Sequence, residues 1–197
     1  GVRALLDSGA SGSASSVSRE HIIRRGPGGM FTIAGGKLTT FRSMAAELVD
    51  EVAAELTRRE GRPRPEPAPT DTEPLPGGEA ADLAPMRQTV LDLGLGAATA
   101  DHLLQHYGTE AAAICNLGRL ERGLLARLHP DHPAIEAEVV HHARRELVTH
   151  IDDVLVRRIH LHYETPDHGA EAAPRVAALL GKELGWEGER TVRELAA

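Results

Sequence analysis

The residues of this chain best suited to chemistry lie in Phe31-Thr32-Ile33-Ala34-Gly35-Gly36-Lys37-Leu38-Thr39-Thr40. A short apolar strand runs into two glycines and a lysine, and an amphipathic helix follows. The first turn of a helix carries backbone N–H groups without partners and a partial charge of about +0.5. Glycines let a ligand approach the main chain, and Lys37 adds a full positive charge. Such a corner suits an electron-rich edge. A phosphate fits, and so does the carbonyl edge of a flavin ring, whose reduced form is stabilised by positive dipoles. A plain strand–turn–helix joint with a surface lysine is the alternative, and spacing alone does not choose. The segment is not a Walker A loop, because position 31 is Phe and Leu38 follows the lysine.

Histidine is the other chemically able type, with eleven copies. His129 with His132, His141 with His142, and His160 with His162 have the look of metal spacings. Adjacent helical residues point about 100° apart, however, and i, i+2 pairs do not share a face. His102 and His106 do share one, but Leu103, Leu104 and Gln105 stand between them, without the glutamate of a metalloprotease helix. The expectation is structural or solvent-exposed histidines and no metal site. Asp153 and Arg157 read as an i, i+4 ion pair. Arg158 falls on the apolar stripe of Ile151, Val154, Leu155, Ile159 and His162, so it needs a partner, and Glu146 on the preceding helix is the expected one. Cys115 reads as buried and inert, and Trp186 as a core anchor.

These residues need elements to hold them. Short strands are expected at residues 1–6, around His21–Ile23 and at Met30–Ala34, with a flexible loop at 7–16 and a turn at Gly26–Gly29. Phe41, Met44, Ala45, Leu48, Val49, Val52, Ala53 and Leu56 keep the i, i+3, i+4, i+7 spacing of an amphipathic helix, with Thr39 or Thr40 as its cap. Pro63, Pro65, Pro67, Pro69, Pro74 and Pro76 forbid helix over 61–79 and predict an extended linker. Beyond it the pattern predicts helices over 83–94, 98–107, 109–117, 119–128, 133–148, 150–163, 170–184 and 188–196. The chain thus divides into 1–60, the linker 61–79, and an all-α domain over 80–197.

Composition bounds the rest. The net charge is −7, from 22 Lys and Arg against 29 Asp and Glu, which argues against a general nucleic-acid binder. The acidity lies beyond residue 60. Cys115 is the single cysteine, so no internal disulfide forms. No apolar run approaches a membrane span. The first residues, Gly1-Val2-Arg3, read as the middle of a longer polypeptide.

Several motifs agree in order and rough spacing with one family. Gly35-Gly36-Lys37-Leu38-Thr39-Thr40-Phe41-Arg42-x-Met44-Ala45 resembles the Gly-Gly-Lys-Leu-Thr-Thr-Tyr-Arg-x-Met-Ala signature of flavin-dependent glycerol-3-phosphate dehydrogenases. Gly1-Val2-Arg3 resembles the Gly-Val-Arg-Pro before it, with Ala4 in place of Pro. Ser18-Arg19-Glu20-His21 resembles the motif between them. Asp153-Val154-Leu155-x-Arg157-Arg158, and Gly185-Trp186 with Glu194, resemble the family's closing helices.

The resemblance implies an α+β fragment: the strand–strand–helix end of an FAD-binding, Rossmann-like (DAO-type) domain, followed by an all-α C-terminal domain. It implies oxidation of sn-glycerol 3-phosphate to dihydroxyacetone phosphate, with hydride transfer to FAD and electrons passed to quinone. By position, Arg3, Lys37 and Arg19 are the substrate-binding candidates, and Lys37 is also the catalytic one. Gly35, Gly36, Lys37, Leu38 and Thr39 are the FAD-binding candidates, and His21 is a lesser candidate. The Gly-x-Gly-x-x-Gly fingerprint for the FAD pyrophosphate is absent, so the isolated chain is expected to be inactive. A cytoplasmic protein is expected, peripheral on the inner face of the cell membrane through a part outside this chain, and assembled as a homo-oligomer. The competing readings are a stand-alone helical interaction module and another FAD oxidoreductase of the same superfamily.

Overall fold

A computed structural model describes residues 21–196. The expectations for residues 1–6 and 7–16, together with Arg3 and Arg19, lie outside the described residues. Contacts divide the chain into two units that meet at Pro74 and Leu75.

In the first unit, β1 (His21–Arg25) and β2 (Phe31–Gly35) form an antiparallel hairpin in which His21 pairs with Gly35 and Arg25 with Phe31. The turn closes through Gly26 N–H to Met30 O at 2.8 Å, with Gly29 at φ 80°. A 3-10 turn, Leu38–Thr40, leads into α1 (Phe41–Glu60). Helix α1 ends at Gly61, whose φ of 65° lets its N–H turn back to Thr57 O. Met44, Leu48, Val52 and Leu56 are half-buried, one turn apart, whereas Phe41 and Val49 are exposed. Arg58 and Arg25 both bond the Glu55 carboxylate. The Arg58 hydrogen bond is the main cause that holds Glu55 below the usual carboxylate range.

The second unit contains the buried core, which begins at Val90 among the described residues. Its helices are α2 (Ala84–Asp92), α3 (Ala97–Tyr107), α4 (Ala111–Leu120), α5 (Glu136–Arg145), the one-turn α6 (Leu161–Glu164), α7 (Ala173–Leu184) and α8 (Gly188–Ala196). Helix α5 is central. All seven residues from Glu136 to His142 are buried, because α4, α7 and the segments on either side of the helix enclose it. Its polar side chains must therefore find partners inside the protein. Where the chain enters this unit, Gly77 lies against Tyr107 and Gly108, and Gly77 O accepts the Thr109 N–H at 2.9 Å. A Cβ on either glycine would collide with the facing main chain.

The unit is not all-α. The expected helix over 119–128 is instead a 3-10 turn at Arg122–Leu125 followed by β3 (Arg127–His129). β3 pairs antiparallel with β4 (His132–Ile135), with a register irregularity between Arg127 and His129. Leu120, Leu124, Leu125 and Leu128 mimic a helical stripe, but Gly123 and Pro130 interrupt it. Pro133 is tolerated in a two-stranded ribbon, where an absent N–H costs no ladder bond. The expected helix over 150–163 is also broken. Asp153–Arg158 is a π-helix, with Ile159 N–H bonded to Val154 O at 2.9 Å, and His160 at φ 64° ends it before α6. No described helix is long and apolar enough to cross a membrane.

Leu103 is fully buried in this core and Leu120 is 86% exposed. Leu103→Ala should lower the unfolding free energy by about 2–5 kcal/mol, and Leu120→Ala should leave it within about 0.5 kcal/mol. Urea titrations followed by helical circular dichroism measure both.

Candidate functional site

The expected corner forms as a built turn. Gly35 and Gly36 have φ of 81° and 82°, the left-handed region that glycine enters without strain. A Cβ on Gly36 would collide with the Met44 thioether and lie 3.3 Å from the His21 Cβ. The two glycines thus bring the end of β2 close to the first turn of α1. Lys37 is extended (φ −112°, ψ 145°) and exposed. Its carbonyl accepts from both the N–H and the hydroxyl of Thr40, each at 3.0 Å. The Thr40 hydroxyl therefore donates rather than caps: it is the N-cap residue of α1 by position, without a side-chain cap bond. Leu38 and Thr39 open the 3-10 turn, where backbone N–H groups ordinarily lack partners in the helix itself. His21, paired with Gly35, holds Glu47 of α1 at 2.8 Å. Gly35, Gly36, Lys37, Leu38 and Thr39 are thus gathered in one turn that exposes a cation. An exposed cation beside the first turn of a helix fits the electron-rich edge of a cofactor or an anion.

A second polar assembly lies inside the helical unit. Glu138, at the third position of α5, has no exposure to solvent. Its carboxylate accepts from Ile135 N–H at 2.7 Å, His102 Nε2 at 2.8 Å and Tyr107 Oη–H at 2.7 Å. Burial pushes the Glu138 carboxyl up, but the donors from His102, Tyr107 and Ile135 outweigh it and hold the group below the ordinary range. The polar chain continues from Tyr107 to His142 Nε2 at 2.9 Å. His142 Nδ1 lies 3.1 Å from Glu146, which binds Arg158 at 2.7 Å. The expected Arg158–Glu146 pair is therefore present, although Arg158 itself stays largely exposed. The Asp153–Arg157 pair closes at 2.9 Å. Glu194 accepts from His150 Nδ1 at 2.8 Å and from the Ile151 N–H at 3.2 Å, which ties α8 to the turn before the π-helix.

The matches to known proteins now have a frame. The family described as the C-terminal domain of alpha-glycerophosphate oxidase matches residues 68–191, well over half of the chain. The chain belongs to that family. Residues across 99% of the chain are 33% identical to the mitochondrial glycerol-3-phosphate dehydrogenase of Mus musculus and 31% identical to that of Homo sapiens. A probable mitochondrial glycerol-3-phosphate dehydrogenase of Dictyostelium discoideum is 32% identical over 93% of the chain. The chain spans about a quarter of the length of these relatives: 26% for the two mammalian proteins and 28% for the third. The family match covers the whole helical unit up to α8, including the Glu138 assembly, whereas the glycine corner precedes it.

Five of the eleven histidines of this family member are built into the core. His102, His129, His132, His141 and His142 are all buried. His129 comes nearest to a metal spacing, since its Nε2 and the carboxylates of Asp167 and Glu171 lie within 4.8 Å of one another. Yet His129 Nδ1 accepts the Asp131 N–H at 3.1 Å, which places the ring proton on Nε2, 3.2 Å from Asp167. The lone pair a metal would need on Nε2 is occupied. Asp167 also accepts the N–H groups of Glu171 and Gly169, so the group is satisfied as a hydrogen-bonded turn. Those bonds, with one to Thr165, hold its carboxyl far below the ordinary range. Cys115 is buried, and burial pushes its thiol up, consistent with an inert packing role. Trp186 packs half-buried against the core and carries Arg190 at 4.8 Å over its ring.

Sequence reasoning missed Glu138. The available signal was slight: Glu138 stands between Ala137 and Val139, but Glu136 and His141 nearby make the run read as an ordinary amphipathic helix. Proton uptake should expose this network. Burial is the leading cause holding His106, His132, His141 and His142 below the ordinary histidine value. A depressed folded value means that the unfolded chain binds more protons, so stability falls as pH drops through about 6.5. Glu138 adds loss of the same sign only below the carboxylate range. The urea midpoint of the 197-residue chain should therefore decline steadily from pH 7.5 to 5.5; a flat profile would contradict the burial argument.

Proposed function

We propose that the chain is the C-terminal portion of a flavin-dependent glycerol-3-phosphate dehydrogenase. The observation that carries this reading is the glycine corner: the close approach of Gly36 to Met44 and His21 holds Lys37, Leu38 and Thr39 in one exposed turn at the start of α1. The names of the relatives supply the substrate, sn-glycerol 3-phosphate, and its product would be dihydroxyacetone phosphate. When bound, FAD supplies the hydride acceptor, and quinone receives the electrons.

Within that reading each residue of the corner has a task. Gly35 and Gly36 keep the approach open, and Leu38 and Thr39 present backbone N–H donors to the pyrimidine edge of the flavin. Lys37 places a cation where negative charge develops on the reacting oxygen and the reduced ring. Arg3 and Arg19 hold the substrate phosphate, for which a planar guanidinium is suited. The helical unit serves as a rigid body attached to the catalytic part of the longer polypeptide. The chain lacks the glycine fingerprint for the FAD pyrophosphate, so alone it binds FAD weakly and turns nothing over. The complete enzyme acts as a homo-oligomer on the cytoplasmic side, at the inner face of the cell membrane, through surfaces outside this chain.

The test uses the longer polypeptide that contains this chain. Lys37→Ala should lower turnover of glycerol 3-phosphate with a dye acceptor by at least about 100-fold, the scale of losing one charge-stabilising group. Arg64→Ala, in the proline-rich segment, should leave turnover unchanged. Equal turnover in the Lys37→Ala variant and the parent would remove Lys37 from the site.

A further inference from the structure

The buried chain Glu138–Tyr107–His142–Glu146 has three contacts: 2.7 Å, 2.9 Å and 3.1 Å. Each needs one proton between its atoms to be a hydrogen bond. With His142 neutral, only two protons are available, the Tyr107 hydroxyl proton and the single N–H of the imidazole. One contact must be empty.

The surroundings decide which. Glu138 already accepts from His102 and from the Ile135 N–H, so it is a carboxylate, and the Tyr107 hydroxyl donates to it at the shortest of the three distances. Tyr107 oxygen is then left to accept, and His142 donates from Nε2. That strips Nδ1. The bare nitrogen faces Glu146, which pairs with Arg158 at 2.7 Å, and forms no hydrogen bond although it is buried. Two acceptors thus face each other 3.1 Å apart inside the protein.

We propose that the His142–Glu146 contact at the end of α5 is a built-in receptor for one proton, vacant at neutral pH and filled on acidification, on the same carboxylate that Arg158 of the π-helix binds. Titratable and charged groups face it from several elements. Glu146, His141 and Glu138 belong to α5 and its end, Tyr107 and His102 to α3, and Arg158 to the π-helix. Glu110 lies 4.0 Å from His141. Burial of the ring is the largest influence and disfavours the imidazolium. The charge of His141 adds to that, and the charges of Glu146 and Glu138 oppose it. Filling the receptor turns the facing pair into a charge-assisted hydrogen bond, with Arg158 and the imidazolium both on one carboxylate. No other group in the chain needs to change protonation.

Nitrogen NMR of the imidazole rings in the 197-residue chain tests this without relying on a stability change. At pH 7.5, His142 should be the Nε2–H tautomer with a bare Nδ1. On acidification it should gain one proton at Nδ1, with a midpoint below about 6.5, the ordinary value. Tyr107→Phe removes the group that forces the proton to Nε2, so in that variant the neutral ring should flip to the Nδ1–H tautomer and donate to Glu146. A wild-type ring that is already Nδ1–H, or doubly protonated, at pH 7.5 overturns the proposal. So does an unchanged Nε2–H tautomer in a folded Tyr107→Phe chain. If that variant does not fold, the wild-type tautomer and midpoint decide the matter alone.

Discussion

The helical unit depends on one buried charge. Glu138 sits in the first turn of α5 without access to water, and an ionised carboxylate there would be untenable without several donors. Three donors meet it: the ring of His102 and the hydroxyl of Tyr107, both from α3, and the backbone of Ile135, where β4 joins α5. One carboxylate thereby fixes the crossing of two helices and the entry angle of the hairpin. Apolar packing of Leu103, Ile114, Val139 and Leu180 supplies the bulk of the burial. Apolar contacts alone are tolerant of small slips, whereas a buried carboxylate with fixed donors permits one register. The same helix carries Glu136, whose carboxylate takes the fork of Arg175 from α7. Helix α5 therefore anchors its neighbours through charged side chains on more than one face.

The first unit is organised differently. Among the described residues it buries no side chain fully, and its one tight constraint is the approach of Gly36 to Met44 and His21. Its exposed cation has no task within the unit itself. A chain about a quarter as long as its relatives, carrying a shaped and polar corner, is consistent with a site completed by other parts of a longer polypeptide. The division of labour is then physical. The second unit is built around buried polar groups that bond one another, whereas the first holds its charged side chains at the surface.

Much of this was legible in the residues, and the failures have causes. The strand–glycine–lysine–helix corner was readable because glycine and the i, i+3, i+4 stripe of α1 are local signals. The Arg158–Glu146 pair was readable because a charge on an apolar stripe requires an acid within reach. The β3–β4 hairpin was hidden because four leucines between 120 and 128 imitate a helical face, although Gly123 and Pro130 were there to break it. The π-helix was hidden because one extra residue in a turn leaves the hydrophobic pattern almost unchanged. Glu138 was hidden for a deeper reason: a glutamate in a helix is ordinarily a surface residue, and only the fold reveals that α5 is enclosed from Glu136 to His142. Arg3 and Arg19 rest on motif and position alone.

The account stands most directly on the claim that Glu138 is tied to α3 by more than proximity. A double-mutant cycle with Glu138→Gln and Tyr107→Phe, measured by urea unfolding of the 197-residue chain at pH 7.5, isolates that tie. A coupling energy of about 1–3 kcal/mol is expected for a buried, charge-assisted contact in a shared network. Additivity within about 0.5 kcal/mol would mean that the two side chains act independently, and would contradict the central place given to the Glu138 carboxylate.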